Sequence, residues 1–260
     1  MQTILDEKFS TERSVVALGM FDGVHIGHRV LLQRAASLAH QRHVPLVVCT
    51  FQTHPLQVIA PDKCPPMLST FEERRLMMEE LGVDVLCAMP FTPEVMNMPP
   101  EDYVGHLVRR FHPTDVVCGY NHTFGKKGQG TPALLSALGA ALGFETSIVP
   151  NITLDGREVS STAIRRALAS GKAGEARQLL ARPYQLDARL ESRKNGRCCL
   201  RFSAQGKQQL PEGNYRVFVS DEVHAYPALM QITEENKAVC FLPSAAALGD
   251  QLCVQLWREA

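Results

Sequence analysis

Short apolar runs alternate with longer amphipathic stretches along the first 150 residues. The runs SVVALGM, VPLVVCTF, VDVLCAMPF, DVVCGY and ETSIVP are typical of strands. The segments between them, GHRVLLQRAASLAHQRH, STFEERRLMMEELG, PPEDYVGHLVRRF and TPALLSALGAALG, have helical character, and in the first of them an apolar stripe is formed by Leu31, Ala35, Leu38 and Ala39. Strands that alternate with helices at this spacing predict βαβ units and a parallel sheet covered on both faces.

The pattern changes after Arg182. Two further helical segments, STAIRRALASG and KAGEARQLLAR, end the first part of the chain. From Gln185 onward six short strand-like runs follow, QLDARLES, RCCLRF, NYRVFVS, AYPALMQI, KAVCFL and QLCVQLW, with turn residues between them. The sequence therefore predicts an α/β domain over residues 1–184 and a small, barrel-like all-β domain over residues 185–260.

The composition argues against nucleic-acid and membrane partners. The chain has 27 basic and 27 acidic residues, so its net charge is zero and no basic field would attract nucleic acid. No apolar run reaches the roughly 18 residues of a membrane span, and the start of the chain does not resemble a secretory signal. The eight cysteines form no C-x-x-C pair. We expect reduced thiols and a cytoplasmic protein with neither a nucleic-acid nor a membrane partner.

The stretch GMFDGVHIGH, residues 19–28, lies between the first of these predicted strands and the first predicted helix. His25 and His28 are three residues apart and share one face of a helical turn, while Gly23 and Gly27 allow a ligand to approach the backbone. A helix N-terminus favours anions, so the pair is placed to stabilise a phosphoryl or nucleotidyl group during transfer. A metal site, which would need a third ligand, and simple capping histidines are the alternatives.

Three more stretches are candidates for binding. VSSTAIRRAL, residues 159–168, offers three hydroxyls and Arg165 for a phosphate, or an ordinary N-cap. CGYNHTFGKKGQG, residues 118–130, is a basic glycine-rich loop suited to a nucleotide or flavin, or a solvated turn. TFQTHP, residues 50–55, ends the next strand. Because all four stretches follow predicted strands, we expect them at one edge of the sheet.

Together these four stretches resemble the bacterial FAD synthetase family, in particular its N-terminal FMN adenylyltransferase module, over roughly residues 14–184. The resemblance implies a Rossmann-like nucleotidyltransferase domain that converts ATP and FMN into FAD and pyrophosphate. The reaction it implies is an in-line attack on the α-phosphorus of ATP, assisted by Mg²⁺ and without a covalent enzyme intermediate. The partners would be these small molecules.

The resemblance also implies roles for individual residues. The catalytic positions are His25, His28 and Arg165; the ATP-binding positions are Gly19, Phe21, Asp22, Gly23, Gly27, Ser160, Ser161 and Thr162; and the flavin-binding positions are Phe51, His54, Pro55, Asn121, Phe124, Gly125 and Lys126. It assigns no metal ligand. The family usually has aspartate where this chain has Asn121 and an aromatic residue where it has His122.

A larger departure lies in the predicted β domain. Most family members carry a riboflavin kinase domain with a G-R-x-L-G-x-P-T-x-N stretch. Here Gly196 and Arg197 are present, the Pro-Thr-x-Asn part is missing, and Lys237 is the nearest counterpart of the catalytic glutamate. We therefore expect an adenylyltransferase that does not phosphorylate riboflavin. A nucleotidyltransferase with another phosphate acceptor, and a catalytically idle flavin- or nucleotide-binding protein, are the alternatives.

Overall fold

The computed structural model describes residues 1–5, 9–203, 206–234, 236–243, 246 and 248–260. Backbone contacts group them into two compact units, one of Met1–Pro65 with Phe71–Thr153 and one of Pro66–Thr70 with Leu154–Ala260. This grouping places residues 161–180 with the second unit, whereas the sequence predicts a boundary after residue 184. The predicted domain boundary stays a prediction.

The first unit contains a six-stranded sheet. Its strands are β1 (Gln2–Ile4), β2 (Ser14–Leu18), β3 (Leu46–Phe51), β4 (Val85–Met89), β5 (Pro113–Gly119) and β6 (Glu145–Val149). Their order is β1-β4-β3-β2-β5-β6, and every neighbouring pair is parallel. The predicted parallel sheet is confirmed. The sequence pattern did not indicate β1, which adds a sixth strand beside β4.

Helices cover both faces of this sheet. They are α1 (Ile26–Arg42), α2 (Pro55–Ile59), α3 (Phe71–Glu80), α4 (Pro93–Asn97), α5 (Pro100–Phe111) and α6 (Pro132–Leu142). Buried side chains of α1 and α3, with Leu32 and Met78 fully enclosed, form one core with the sheet. Those of α5 and α6, including Leu107 and Leu135, form another. The unpredicted α2 and α4 are five residues long and begin with proline.

The second unit contains two helices and an antiparallel barrel. A two-stranded pair, β7 (Thr153–Leu154) with β8 (Arg157–Glu158), precedes the helices α7 (Ser161–Ala169) and α8 (Ala173–Leu180). The remaining strands are β9 (Tyr184–Lys194), β10 (Arg197–Phe202), β11 (Gly213–Ser220), β12 (Ala225–Glu234), β13 (Lys237–Phe241) and β14 (Gln251–Glu259). They close in the order β10-β13-β12-β11-β14-β9, which confirms the predicted barrel.

Buried side chains, which alternate with exposed ones along the strands, form the interior of the barrel. In β11 the side chains of Tyr215, Val217 and Val219 are buried, with more exposed residues between them. The hairpin between β9 and β10 turns on two residues, Asn195 and Gly196, both with positive φ angles of 52° and 77°. This is the turn geometry that an Asn-Gly pair favours. In the described ranges, no helix is both long enough and apolar enough to span a bilayer.

Candidate functional site

Three of the four candidate stretches follow adjacent strands of the parallel sheet. GMFDGVHIGH follows β2, TFQTHP ends β3, and CGYNHTFGKKGQG follows β5. Because β3, β2 and β5 are neighbours in the sheet, their carboxyl ends lie side by side. Ligands of open parallel sheets bind at this edge, so the first unit has a candidate site where three loops meet.

The loop after β2 is held in an unusual backbone conformation. Phe21 has a φ of 54° and Val24 a φ of 41°, both in the left-handed region, and both side chains are buried. Asp22, Gly23 and Val24 form a single 3-10 turn. Such conformations cost energy in non-glycine residues and cluster at functional sites. The buried ring of Phe21 meets the ring of His28 edge-on, with 5.3 Å between centroids.

The two histidines form a stacked pair at the start of α1. His25 is the N-cap, and its Nδ1 accepts a hydrogen bond from the backbone N–H of His28 at 3.3 Å. The two rings stack with 3.6 Å between centroids and 15° between planes. Because Nδ1 of His25 accepts, a neutral His25 carries its ring proton on Nε2. The cap therefore fixes both the orientation and the tautomer of this histidine.

His28 is held in its neutral form. Burial lowers its pKa well below the ordinary value, and the neighbouring His25 and Arg74 lower it further. Its Nδ1 has no solvent access and no hydrogen-bond partner among the residues that the structure describes. Since a sealed N–H without an acceptor is more costly than a sealed lone pair, the proton belongs on Nε2. Nε2 is then a hydrogen-bond donor that a bound group can reach.

Arg74 ties the loops after β2 and β3 together. Its side chain is only 2% exposed, and its guanidinium donates to the carbonyl oxygens of Met20 at 2.9 Å, Phe51 at 3.3 Å and Gln52 at 3.0 Å. Burial lowers its pKa, which the nearby carboxylate of Asp22 partly offsets.

Sequence reasoning missed Arg74. The available signal was its place on α3, where it lies three and four residues before the buried Met77 and Met78 and so shares their apolar face.

Two cavities open at this edge of the sheet. The first has a volume of about 330 Å³ and is lined by Leu18, Gly19, Met20, Phe21, His28, Leu31, Cys49, Thr50, Phe51, His54, Pro55, Met89, Tyr103, Gly119, Asn121, His122 and Thr123. The second has a volume of about 260 Å³ and is lined by Phe51, Pro55, Ile59, Phe91, Val95, Met96, Tyr103, His122, Thr123, Phe124, Gly125, Lys127 and Gly128. They share five lining residues, so they are adjoining parts of one site.

The loop after β5 forms a wall of both cavities. The rings of His122 and Phe124 stack at 5.9 Å, and Phe124 stacks on Tyr103 at 5.5 Å. Gly125 has a φ of +69°, and a Cβ there would lie 2.8 Å from backbone atoms of Pro100. Only glycine fits such a close backbone approach without displacement, so this position fixes the path of the loop.

Most predicted residues of the first unit line these cavities. They are Gly19, Phe21, His28, Phe51, His54, Pro55, Asn121, Phe124 and Gly125. Lys126 does not; its side chain is exposed, and the next residue, Lys127, lines the second cavity instead. The lining does not include Asp22 and Gly23 of the 3-10 turn, His25 at the N-cap of α1, or Gly27 in the first turn of α1. His54 caps α2 through its Nδ1, which accepts from the backbone N–H of Leu56 at 3.1 Å.

The fourth stretch belongs to the second unit. It follows the short strand β8 rather than a strand of the parallel sheet, so the expectation that it directly follows a strand of that sheet is wrong. Its place at the sheet edge stays a prediction. Ser160 is the N-cap of α7, and its Oγ accepts from the backbone N–H of Ala163 at 3.2 Å. Arg165 donates from Nε to the carbonyl oxygen of Pro66 at 2.6 Å. Ser161 is partly exposed and Thr162 is exposed.

No cluster of three or more histidine, cysteine or acidic side chains suited to a metal ion occurs within the described part of the chain. All eight cysteines are free thiols.

Comparison with known proteins gives consistent results. The family model described as FAD synthetase matches residues 7–163. The chain is 35% identical to the bifunctional riboflavin kinase/FMN adenylyltransferase of Listeria monocytogenes over 182 residues, 70% of this chain and 58% of that protein. It is 33% identical to the protein of the same description from Bacillus subtilis, over 66% of this chain and 54% of that one. The chain thus spans little more than half the length of these relatives.

Among solved structures, a protein described as a macrolide-efflux protein from Streptococcus pneumoniae superposes with a TM-score of 0.86 and 23% identity. The match covers 100% of this chain and 91% of that one. At this identity the likeness concerns the fold alone.

Proposed function

The chain belongs to the FAD synthetase family, and we propose that it transfers the adenylyl group of ATP to FMN, giving FAD and pyrophosphate. A phosphate oxygen of FMN attacks the α-phosphorus of ATP and forms the new P–O bond. The bond from the α-phosphorus to the oxygen that bridges to the β-phosphorus breaks, and pyrophosphate leaves with that electron pair. The chain's contribution is to align the two substrates and to stabilise negative charge.

The observation that carries this proposal is the histidine pair at the N-terminus of α1. Both rings are buried or partly buried, stacked, and held with Nε2–H as the donor. A donor fixed in advance needs no reorganisation when charge builds on the phosphate oxygens during transfer. The N-terminus of α1 adds partial positive charge at the same place. We assign His28, which lines the first cavity, to the transferring phosphate, and His25 to its support.

The second cavity supports a flat aromatic acceptor. Its walls include Phe51, Phe91, Tyr103 and Phe124, with apolar side chains of α2 and α4 around them. Apolar, aromatic pockets with a few polar groups are typical of sites for large heterocycles. We assign this cavity to the isoalloxazine ring, with Asn121 and the loop after β5 beside it, and the first cavity to the phosphates.

The roles of the second unit's residues follow from the family resemblance. Ser160, Ser161, Thr162 and Arg165 would hold the ATP phosphates through hydroxyl and guanidinium donors. Ser160 already serves as an N-cap. Its Oγ can still donate to a phosphate oxygen while it accepts from the backbone.

Mg²⁺ would enter as part of the substrate, bound to ATP. Magnesium keeps several water ligands and is usually held through substrate phosphates with one or two carboxylates, rather than by a cage of protein ligands. Asp22, in the turn before α1, offers one such carboxylate. The ion would neutralise charge on the phosphates.

The proposed activity ends at adenylyl transfer and does not include phosphorylation of riboflavin. Gly196 and Arg197, the remaining part of the family's kinase stretch, occupy a two-residue hairpin turn and the first position of β10. A Cβ at Gly196 would lie 2.9 Å from the carbonyl oxygen of Leu242, so the turn is tightly packed. The absence of the Pro-Thr-x-Asn part from the sequence supports this limit on the proposed activity.

The test is a product assay with the full chain. Purified protein is incubated with ATP, Mg²⁺ and either FMN or riboflavin, and the flavins are separated by chromatography. FAD from FMN, with neither FMN nor FAD from riboflavin, is the expected result. FMN formed from riboflavin would refute the missing kinase activity. If FMN yields no FAD, a panel of other phosphate acceptors with labelled ATP distinguishes a different transferase from an idle binding protein.

A further inference from the structure

His122 is the polar member of an otherwise apolar row of rings. It stacks on Phe124 with 22° between planes, and Phe124 stacks on Tyr103 with 30°. Its backbone N–H donates to the carbonyl oxygen of Gly119 at 3.1 Å, which closes the turn after β5. The side chain lines both cavities. His122 therefore stands where the phosphate part of the site adjoins the aromatic part.

The two ring nitrogens of His122 have different surroundings. Nε2 has no solvent access and, within the described residues, no hydrogen-bond partner. Nδ1 is not sealed in this way, and the ring as a whole is partly exposed. Since the ring lines the cavities, Nδ1 is the nitrogen that a bound molecule can reach.

The protonation of the ring follows from these surroundings. Burial lowers the pKa of His122 to about 4, so the imidazole is neutral near pH 7. One nitrogen then carries the proton and the other is an acceptor. A sealed N–H without an acceptor is the costlier arrangement, so the proton belongs on Nδ1. The cavity wall thus presents one N–H donor.

We infer that His122 determines specificity for the acceptor's ring by donating a hydrogen bond from Nδ1 to an acceptor atom on the polar edge of the bound heterocycle. The inference rests on the proposed function, under which that heterocycle is isoalloxazine and the candidate acceptors are its ring nitrogens and carbonyl oxygens. A phenylalanine at position 122 would keep the stack on Phe124 but would leave that edge without a donor.

Substitutions distinguish a hydrogen bond from stacking and identify the nitrogen. The amide of asparagine places a donor close to where Nδ1 of histidine lies, whereas that of glutamine reaches the position of Nε2. FMN binding is measured by quenching of flavin fluorescence without ATP, for the parent and for His122→Asn, His122→Gln and His122→Phe. We expect His122→Phe and His122→Gln to weaken FMN binding about fivefold, and His122→Asn to stay within about twofold of the parent.

Flavin analogues identify the group that accepts. Analogues of FMN in which one acceptor is removed, such as 5-deaza-FMN and 1-deaza-FMN, and the 2-thio and 4-thio derivatives, in which one is weakened, are titrated against the parent and His122→Phe. The analogue that lacks the accepting atom should bind the parent less tightly than FMN does. It should bind the parent and His122→Phe with equal affinity, because one partner of the hydrogen bond is missing in either case.

The experiment includes a matched control substitution and a check that each variant folds. The same exchange at the exposed His40, His40→Phe, should leave FMN affinity unchanged. Thermal unfolding shows whether each variant folds, and the asparagine–glutamine contrast remains informative if His122→Phe does not. Equal affinities in the parent, His122→Gln and His122→Phe would overturn the inference while leaving FAD formation by the parent intact. A parent that binds no FMN would overturn the proposed function as well.

Discussion

Acid should destabilise this protein through His122, by an amount that the structure sets. The unfolded chain has an ordinary histidine pKa of about 6.5 at this position, whereas burial lowers the folded pKa to about 4. Between these values the unfolded state binds a proton that the folded state does not. Stability is therefore fully present above about pH 6.5 and is lost as the pH falls toward about 4.

The size of the effect follows from the same two pKa values. Lowering the pH from about 7.5 to about 5.5 should remove about 1.3 kcal/mol from the free energy of unfolding through this one group. His28 acts in the same direction, because its pKa is also lowered well below the ordinary value. The total loss in the parent should therefore exceed the share of His122.

Urea unfolding at both pH values measures the share of His122, with the parent compared with His122→Phe. The difference in free energy of unfolding between the two proteins should shift by about 1.3 kcal/mol in favour of the variant at the lower pH. His40→Phe, at an exposed position, controls for the general loss of an imidazole. A shift in the His122→Phe comparison below about 0.3 kcal/mol would show that Nε2 of His122 takes up a proton in the folded protein, and the argument for a sealed Nε2 would fail.

Three further changes test the site. His28→Ala should remove about 2–4 kcal/mol of transition-state stabilisation, so kcat for FAD formation should fall while FMN affinity changes little. Equal losses in kcat and in affinity would indicate a ground-state role instead. Arg74→Lys should destabilise the protein by about 2–3 kcal/mol in urea unfolding, because one ammonium cannot reach the carbonyls of both loops; a cost near zero would show that those bonds are not needed. Gly125→Ala should lower the melting temperature and weaken FMN binding, because its Cβ would contact the backbone of Pro100; unchanged titrations would contradict the fixed loop path.

The main elements of the fold could be predicted from the sequence because their patterns are long and consistent. The apolar stripe of α1 and the alternation in β11 both repeat over several turns or residue pairs, and the structure buries them as expected. The omissions are short. Strand β1 has three residues, and α2 and α4 have five each, so none contains two full periods of its pattern. Strand β1, for example, pairs with β4, which lies far away in sequence.

In the site, too, features set by neighbouring residues could be predicted from the sequence, whereas contacts between distant residues could not. The capping role and shared face of His25 and His28 are local, since they depend on three residues of helix geometry. The bonds of Arg74 to the carbonyls of Met20 and Phe51 join residues 54 and 23 positions apart, which no local pattern records. The strand that precedes VSSTAIRRAL was mispredicted for a related reason: the short pair β7 and β8 intervenes after β6, so the stretch does not directly follow a strand of the sheet.

His28 and His122 lie in different parts of the site, so substitutions at the two positions can distinguish an enzyme from an idle binding protein. His28 lines only the first cavity, beside the turn at the N-terminus of α1, whereas His122 lines both cavities and faces the aromatic part. In an adenylyltransferase, loss of the His28 donor should reduce turnover and loss of the His122 donor should reduce acceptor affinity. In a binding protein there is no transition state to stabilise, so removing either donor could change affinity alone. A split between kcat and affinity across these two histidines would therefore support catalysis at this sheet edge more directly than product formation by the parent chain.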